Sequence, residues 1–262
     1  MFSTLRCRRL LLATVFSLPS WAGPGDPPTL DPTWSGFVQV GVQRGPASWT
    51  SSYLPSTKNT PTFDFLVSRG RFFASSQRGL GFELVKGESI TVTGGVGYFL
   101  GRLASESDRL HDLGNVKGST GGLVTLDWRA LGDALHVYSF LNSTCRQNRG
   151  SSLTLGAVLG FPVNESCKGW MDVSGRFADR TETTAFFGVT PLQSERSGLQ
   201  EFHPKGGHLE DRFTIGLVHR WSSQWSVSGY LGASMLRGDA AHSPVIERNS
   251  QPLGGIVLRR TF

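Results

Sequence analysis

Long segments of strict two-residue alternation are the feature that most limits the fold of this chain. From Ile90 to Tyr98, apolar residues and one glycine fall on one face, while threonines and glycines fall on the other. The same alternation runs from Phe213 to Trp221 and from Trp225 to Met235. Successive side chains of a β-strand point to opposite faces, so each segment has an apolar and a polar or small-residue face.

The length of these segments separates two kinds of β-protein. A soluble sandwich shows the same alternation, but strands of soluble proteins average about five to six residues. Several segments here run for about ten residues or more, which is the length that a tilted strand needs to cross a bilayer. Serine, threonine, glycine and arginine on the polar faces suit a wet lumen, so the pattern favours a membrane barrel over the sandwich.

The alternation predicts an all-β fold, a closed antiparallel transmembrane β-barrel of about 12 strands, an even number as single-chain barrels prefer. The segment 71–85 is either one strand or two strands joined by a turn at 76–79. The predicted strands are 36–44, 61–68, 71–85, 89–101, 120–130, 133–141, 151–161, 168–178, 182–189, 210–221, 224–236 and 252–262.

The N-terminus predicts export. Arg8 and Arg9 precede a short apolar stretch at 10–18, and Ala22 ends a small-residue site of the kind that a signal peptidase cleaves. The apolar stretch is too short to span a bilayer as a helix, and no other segment approaches eighteen apolar residues. No run rich in lysine and arginine suggests a nucleic-acid partner. The predicted parts are a signal peptide at 1–22, a periplasmic lead-in at 23–35 and an outer-membrane barrel at 36–262.

Aromatic residues stand at the ends of predicted strands, as a girdle at the membrane interface requires. The final strand is expected to close the barrel against the first and to place Phe262 at the periplasmic interface, where a terminal phenylalanine is the usual recognition mark for the barrel assembly machinery. Trp170 is out of phase with its strand, and Arg260 puts a charge in the outward phase. The predicted girdle and closure residues are Trp34, Trp128, Trp221, Trp225 and Phe262.

Motifs of catalysis are missing from the sequence. It contains no HExxH, GxSxG or Walker pattern, and we predict no catalytic, cofactor-binding or metal-binding residue. His203 and His208 share a loop with acidic residues, but without a third fixed ligand we interpret them as solvated. His242 and Ser243 with Glu247 offer the residue types of an outer-membrane lipid-modifying hydrolase, and residue types without geometry are weak support.

Two cysteines, Cys145 and Cys167, remain after the predicted cleavage. An oxidising periplasm favours a disulfide between them. The predicted strand 151–161 argues against it, because about 11 residues of extended chain separate the two by roughly 30 Å. A disulfide needs Cα atoms within about 7 Å. We therefore expect free thiols.

Four blocks of sequence resemble those of one known family. They are GRFFASSQRGLGFEL at 70–84, GRLASESDRLHDLG at 101–114, FFGVTPLQSERSGLQEF at 186–202 and GDAAHSPVIE at 238–247. In this order they are similar to blocks of the MipA/OmpV family of outer-membrane proteins. The resemblance implies an outer-membrane barrel, described in some members as a scaffold that joins a lytic murein transglycosylase to a murein polymerase, and in others as a surface antigen or adhesin. It supplies no catalytic residues.

We therefore expect a non-enzymatic scaffold in the Gram-negative outer membrane, with outer-membrane lipid, the assembly machinery and murein enzymes as its partners and no cofactor. Three alternatives stay open. Twelve strands lined by small polar residues and arginine can hold a narrow pore. The protein can also be a surface antigen or adhesin, or, more remotely, a lipid-modifying hydrolase.

The strand list also predicts where a partner docks. With Phe262 in the periplasm, it places 45–60, 190–209 and 237–251 outside the cell and 102–119 in the periplasm. Leu110 and Leu113 of that last segment are then a candidate apolar contact for a murein enzyme. If the strand count is off by one, 102–119 is instead an ordinary surface loop outside the cell.

Overall fold

The computed structural model describes residues 34–44, 59–144 and 149–262, which form a closed antiparallel barrel. Each strand pairs with its neighbours in sequence, and the last pairs with the first. Within these ranges no helix is long and apolar enough to cross a membrane. The strands are β1 (Trp34–Arg44), β2 (Asn59–Arg69), β3 (Phe72–Ser75), β4 (Gly79–Lys86), β5 (Ile90–Phe99), β6 (Ser119–Arg129), β7 (Leu135–Thr144), β8 (Ser151–Pro162), β9 (Cys167–Ala178), β10 (Gly207–Arg220), β11 (Trp225–Leu236) and β12 (Ser250–Thr261).

The predicted total of twelve strands is confirmed. One predicted strand is two strands in the structure and another is a helix, so the total is unchanged. The segment 71–85 forms two strands, β3 and β4, as its alternative interpretation allowed. The predicted strand 182–189 is wrong, because this stretch belongs to helix α1 (Arg180–Phe187). Asp179 caps the start of the helix. Its side chain accepts a hydrogen bond from the backbone N–H of Glu182, which has no acceptor within the helix.

These two differences change the end at which one loop lies. Connections 100–118, 179–206 and 237–249 all leave the same end of the barrel, which we call the long-loop end. The opposite end, the short-turn end, carries the turns at 70–71, 87–89, 130–134, 163–166 and 221–224. The prediction that 102–119 lies at the end opposite 190–209 and 237–251 is therefore wrong. It lies at the same end as they do, because 71–85 contributes two strands before it.

The predicted alternation places apolar side chains outside the barrel and polar ones inside. Val40, Val173 and Leu231 are exposed on the outer surface, whereas Thr154 and Asp172 are buried inside. The predicted girdle residues all lie at the short-turn end, where Trp34, Trp128, Trp221 and Phe262 are exposed and Trp225 is half-buried. Their contact with the membrane interface stays a prediction.

Two residues that departed from the pattern have simple explanations. Trp170 faces inward and is buried, because its position shares the phase of the lumenal residues of β9. The Arg260 guanidinium lies 5.7 Å from the centre of the Trp225 ring. This cation–π contact stabilises the positive charge of Arg260 on the outer surface.

Closure of the barrel uses the very last residue. Phe262 exchanges two backbone hydrogen bonds of 3.0 Å with Gly36, so the ladder between β12 and β1 continues to the end of the chain. This confirms that the final strand closes against the first. Recognition of Phe262 by the assembly machinery stays a prediction.

Large aromatic rings on the lumenal wall lie over glycines of the neighbouring strand. In each case the two residues are direct cross-strand partners, and a side chain at the glycine would collide with the ring. The absence of a Cβ lets the ring lie flat against the wall. The pairs are Tyr138 over Gly156, Trp170 over Gly216 and Tyr230 over Gly255.

Replacing Gly216 with alanine is expected to destabilise the barrel. The new Cβ would lie 2.5 Å from the Trp170 ring and 2.7 Å from the Gly229 carbonyl oxygen. Such overpacking typically costs about 1–3 kcal/mol. Urea unfolding of the refolded protein in detergent, followed by tryptophan fluorescence, measures this loss. Gly122→Ala is the control, because nothing lies within 4 Å of its Cβ position; an equal loss in both variants would contradict the steric explanation.

The expected free thiols stay a prediction. Cys167 begins β9 at the short-turn end, and β8 spans the barrel as the argument required. Cys145 lies outside the described residues. Alkylation followed by peptide mass spectrometry without reduction is expected to find both cysteines modified. Recovery of a peptide that joins Cys145 to Cys167 would show that the thiols are bridged.

Candidate functional site: a lumenal chamber under a folded cap

Three long connections of the described chain fold together at the long-loop end into one structure, which we call the cap (residues 100–118, 179–206 and 237–249). Besides α1 it contains helix α2 (Pro191–Ser197) and three 3₁₀ turns. Thr190 begins α2 with a capping box, in which its side chain and that of Gln193 each accept a backbone N–H, and Pro191 follows in the first turn. The cap therefore has regular local structure of its own.

Two apolar clusters hold the cap together. The first joins the strand ends of the barrel to α1, and the second joins the three connections to one another. The members of the first are Ala178, Phe186, Phe187, Leu209, Leu236, Ala240 and Ile246. The buried members of the second are Leu110, Leu113, Val189 and Val245, with Leu199 and Phe202 packed against them.

The second cluster corrects the interpretation of Leu110 and Leu113. Both side chains are buried against Val189 and Val245, and Leu110 has no exposed surface. They stabilise the cap from within. They lie at the long-loop end and present no apolar surface to a partner.

Side chains from two connections satisfy the carbonyl groups at the C-terminal end of α1. Arg102 donates to the Phe186 oxygen at 2.7 Å, and Ser243 donates to the Phe187 oxygen at 2.6 Å. These carbonyls have no partner within the helix, and a cation there also interacts favourably with the helix dipole. Burial lowers the pKa of the Arg102 guanidinium to about 10, so it stays charged at neutral pH.

Helix α1 is tied to the barrel as well as to the cap. Glu182 forms an ion pair with Arg176 of β9, and both side chains are buried in the lumen. The Arg149 guanidinium lies 4.7 Å from the centre of the Phe186 ring and donates to the Leu100 carbonyl at 2.7 Å. These contacts hold one side of α1 against the interior of the barrel.

Below α1 the lumen contains a cavity of about 270 Å³. Glu182 and Phe186 line it from the helix, and Trp170 and Tyr230 line it from the wall. Tyr138 donates to the Asp172 carboxylate at 3.1 Å, and Arg212 pairs with Glu210 at 3.2 Å. We call this cavity the chamber.

A polar network crosses β12, β1 and β2, and two of its members, Gln39 and Gln77, also line the chamber. Arg259 donates to Gln39 at 2.9 Å, and Gln39 donates to Asp64 at 3.2 Å. Ser76 and Gln77 also donate to Asp64. The carboxylate is therefore held by three donors and positions the side chains around it.

The residues considered for hydrolysis do not form a catalytic relay. Ser243 donates its hydroxyl to the Phe187 carbonyl, and His242 contacts the Gly238 carbonyl at 3.0 Å. Glu247 lies 3.9 Å from Arg109. Each group therefore has a structural partner of its own.

The histidines considered for metal binding pair with single acids. His208 contacts Asp211 at 2.7 Å, and His203 lies 4.0 Å from Glu201. In the part of the chain that the structure describes, no group of three or more histidine, cysteine or acidic residues is arranged to hold a metal ion.

Sequence reasoning missed the chamber, although two signals pointed to it. Trp170 was out of phase with the outward residues of its strand, and Asp172 and Arg176 follow it at intervals of two. A large aromatic residue and charged residues in one lumenal phase indicate a structured interior. Their partners on α1 were not found from the sequence, because 182–189 was predicted to be a strand.

Replacing Arg102 with alanine is expected to loosen the cap. The Phe186 carbonyl loses its donor, and the buried space that Arg102 fills is left open, so local opening becomes easier. Proteinase K should then cleave within 179–206 about tenfold faster than in the wild type. Fragments resolved by mass spectrometry give the rate. Arg196→Ala on the exposed face of α2 is the control, and equal cleavage of the two variants would contradict a pinning role for Arg102.

Comparison with known families gives one match that covers most of the chain. The sequence model described as "MltA-interacting protein MipA" matches residues 38–262. The comparison with curated proteins finds no match.

Several solved structures share the general architecture. The outer membrane channel DcaP of Acinetobacter baumannii is 6% identical, with a TM-score of 0.38 over 88% of this chain and 96% of that one. OmpT of Vibrio cholerae is 11% identical, with a TM-score of 0.35 over 86% and 76%. An outer membrane channel from Pseudomonas putida F1 is 11% identical, with a TM-score of 0.37 over 91% and 100%. Likeness at this level carries no argument about function.

Proposed function

The chain belongs to the MipA family, that of MltA-interacting protein, and from this membership and its capped lumen we propose that it is a non-enzymatic scaffold for murein-remodelling enzymes. Its place is the outer membrane of a Gram-negative cell. The family description names an interaction with a protein, and the proposal extends that interaction to this chain. The partner expected first is a lytic murein transglycosylase.

The cap is the observation that favours a scaffold over a pore. Phe186 and Phe187 are buried, and the carbonyls of both accept hydrogen bonds from other parts of the cap. Helix α1 therefore lies over the chamber as a packed element, whereas wide conducting channels belong to barrels of about sixteen or more strands. We expect steady ion conductance to be absent in planar bilayers. Regular ion-selective openings of the wild type would favour the pore instead.

The short-turn end is the surface proposed for docking. Outer-membrane barrels have short periplasmic turns and longer external loops, and murein enzymes work in the periplasm. Leu131 and Val163 are exposed in two of the short turns. A backbone hydrogen bond of 2.9 Å from Gly160 to Ala134 joins the two hairpins next to these turns. Leu131 and Val163 thus offer apolar contacts on adjoining turns.

Replacing Leu131 and Val163 with serine is expected to weaken binding of a purified lytic murein transglycosylase by about tenfold, because apolar anchors carry much of the energy of an interface. Biolayer interferometry with the detergent-refolded barrel measures this affinity. Leu192→Ser is the matched control, since Leu192 is equally exposed but lies on the cap at the other end.

Three results would count against the proposal. Absence of binding by the wild type to murein enzymes would overturn the scaffold role. Equal weakening by the control, or no weakening by the double variant, would overturn the short-turn end as the docking surface. Heat-modifiable migration on a gel confirms that each variant is folded.

A further inference from the structure

The junction of β12 with β1 carries two arginine–tryptophan pairs at the short-turn end. Arg69 of β2 and Trp34 of β1 are direct cross-strand partners, and the guanidinium lies 5.4 Å from the centre of the ring. Arg260 of β12 and Trp225 of β11 are partners in the same way, at 5.7 Å. Both arginines are exposed. We call the short-turn ends of these four neighbouring strands, β11, β12, β1 and β2, the seam.

The aromatic rings of the seam set the depth at which these guanidinium groups lie. Trp34 and Phe262 are exposed, and Trp221 stacks on Trp225 with ring centres 6.5 Å apart. Tryptophan rings on the outside of a barrel sit at the headgroup level of a bilayer, so an arginine over such a ring lies at the depth of the lipid phosphates. Nearer the long-loop end the same face is apolar, as acyl chains require. Its exposed residues on β1 and β12 are Val38, Val40, Val42 and Ile256.

The seam is positively charged. Among the described residues, no acidic side chain lies at the seam or in the two turns beside it, at 70–71 and 221–224, where the carboxylate of Phe262 is the one anion. Asp26 and Asp31 precede Trp34 in the sequence and lie outside the described residues. The exposed arginines of this part of the rim are Arg69, Arg71, Arg220 and Arg260, and Arg259 donates to Gln39 in the lumen.

The rest of the short-turn end has the opposite balance. Around the turns at 87–89, 130–134 and 163–166, five acidic residues face three lysines and arginines. An anion near the short-turn end is therefore attracted to the seam and not to these turns. The acidic residues are Glu83, Glu88, Asp127, Asp133 and Glu165, and the basic ones are Lys86, Arg129 and Lys168.

We propose that the seam is a binding site for an anionic phospholipid, with phosphatidylglycerol as the ligand. Each guanidinium donates hydrogen bonds to a headgroup phosphate, which its planar fork matches, and the tryptophan ring supports it from the other side. Arg69 lies opposite Trp34 and Arg260 opposite Val38, so two strands and four residues separate the arginines. This separation is roughly 17 Å, so each pair binds a headgroup of its own.

The seam is distinct from the proposed docking surface. Leu131 and Val163 lie in turns on the other part of the rim, between β6 and β9. The lipid site depends on the barrel having its short turns in the periplasm, where this end contacts the phospholipid leaflet of the outer membrane. It does not depend on the binding of a murein enzyme.

Native mass spectrometry of the full chain, refolded in detergent, tests the proposal because it counts bound lipids. The probes are phosphatidylglycerol and zwitterionic phosphatidylethanolamine with the same acyl chains, and the wild type should bind the first about fivefold more tightly. Arg69→Gln and Arg260→Gln are each expected to weaken binding of one phosphatidylglycerol molecule about fivefold, the usual effect of one arginine on an anionic lipid. The double variant should weaken binding of two. Arg129→Gln is the matched control, because Arg129 is also exposed at this end but lies beside the acidic turns.

Each outcome decides the proposal. Preference for phosphatidylglycerol that falls in the two seam variants but not in Arg129→Gln supports it. Equal binding of the two lipids by the wild type would overturn the anionic ligand, and equal weakening by all three variants would overturn the seam as the site. A dimer that the seam variants dissociate, with lipid binding unchanged, would make a second copy of the chain the occupant instead. If Arg260→Gln does not fold, as judged by heat-modifiable migration, Arg69→Gln decides the matter.

Discussion

Closure of the sheet is the constraint on which the rest of this structure depends. A bilayer offers no partner to backbone N–H and C=O groups, so a sheet that crosses it must pair its first strand with its last. The hydrogen bonds between Gly36 and Phe262 complete that pairing. Once the ring is closed, strand order fixes the direction of every strand. It thereby fixes which loops meet, and one miscounted strand moves a whole loop to the other end.

The high glycine content acquires a specific meaning within the closed barrel. Glycine makes up 33 of 262 residues, close to twice its usual share of about 7%. On the lumenal wall, glycines give the rings of Tyr138, Trp170 and Tyr230 room to lie flat. The rings thus lie close to the wall, and space for the chamber remains. Small residues on one strand and aromatic residues on the next together determine the shape of the lumen.

Most of the barrel was predictable from the sequence, because strand alternation is a local property that a single segment reveals. The cap was not, because its clusters join residues far apart in the chain, such as Leu110 and Val245. One local signal was missed. Asp179 followed by Glu182 three residues later indicates a helix start, and α1 begins there. The short alternation at 182–189 favours a strand, so the helix was not predicted.

The cap depends on particular side chains more than the barrel does. A strand of the barrel tolerates many exchanges as long as apolar and polar residues alternate, so it leaves little specific sequence behind. The cap needs particular residues, since Val189 and Val245 are almost fully buried and the Phe187 carbonyl requires a donor such as Ser243. Three of the four family-like blocks, at 101–114, 186–202 and 238–247, meet in the cap. The packing of the cap is therefore set by individual side chains of these three connections.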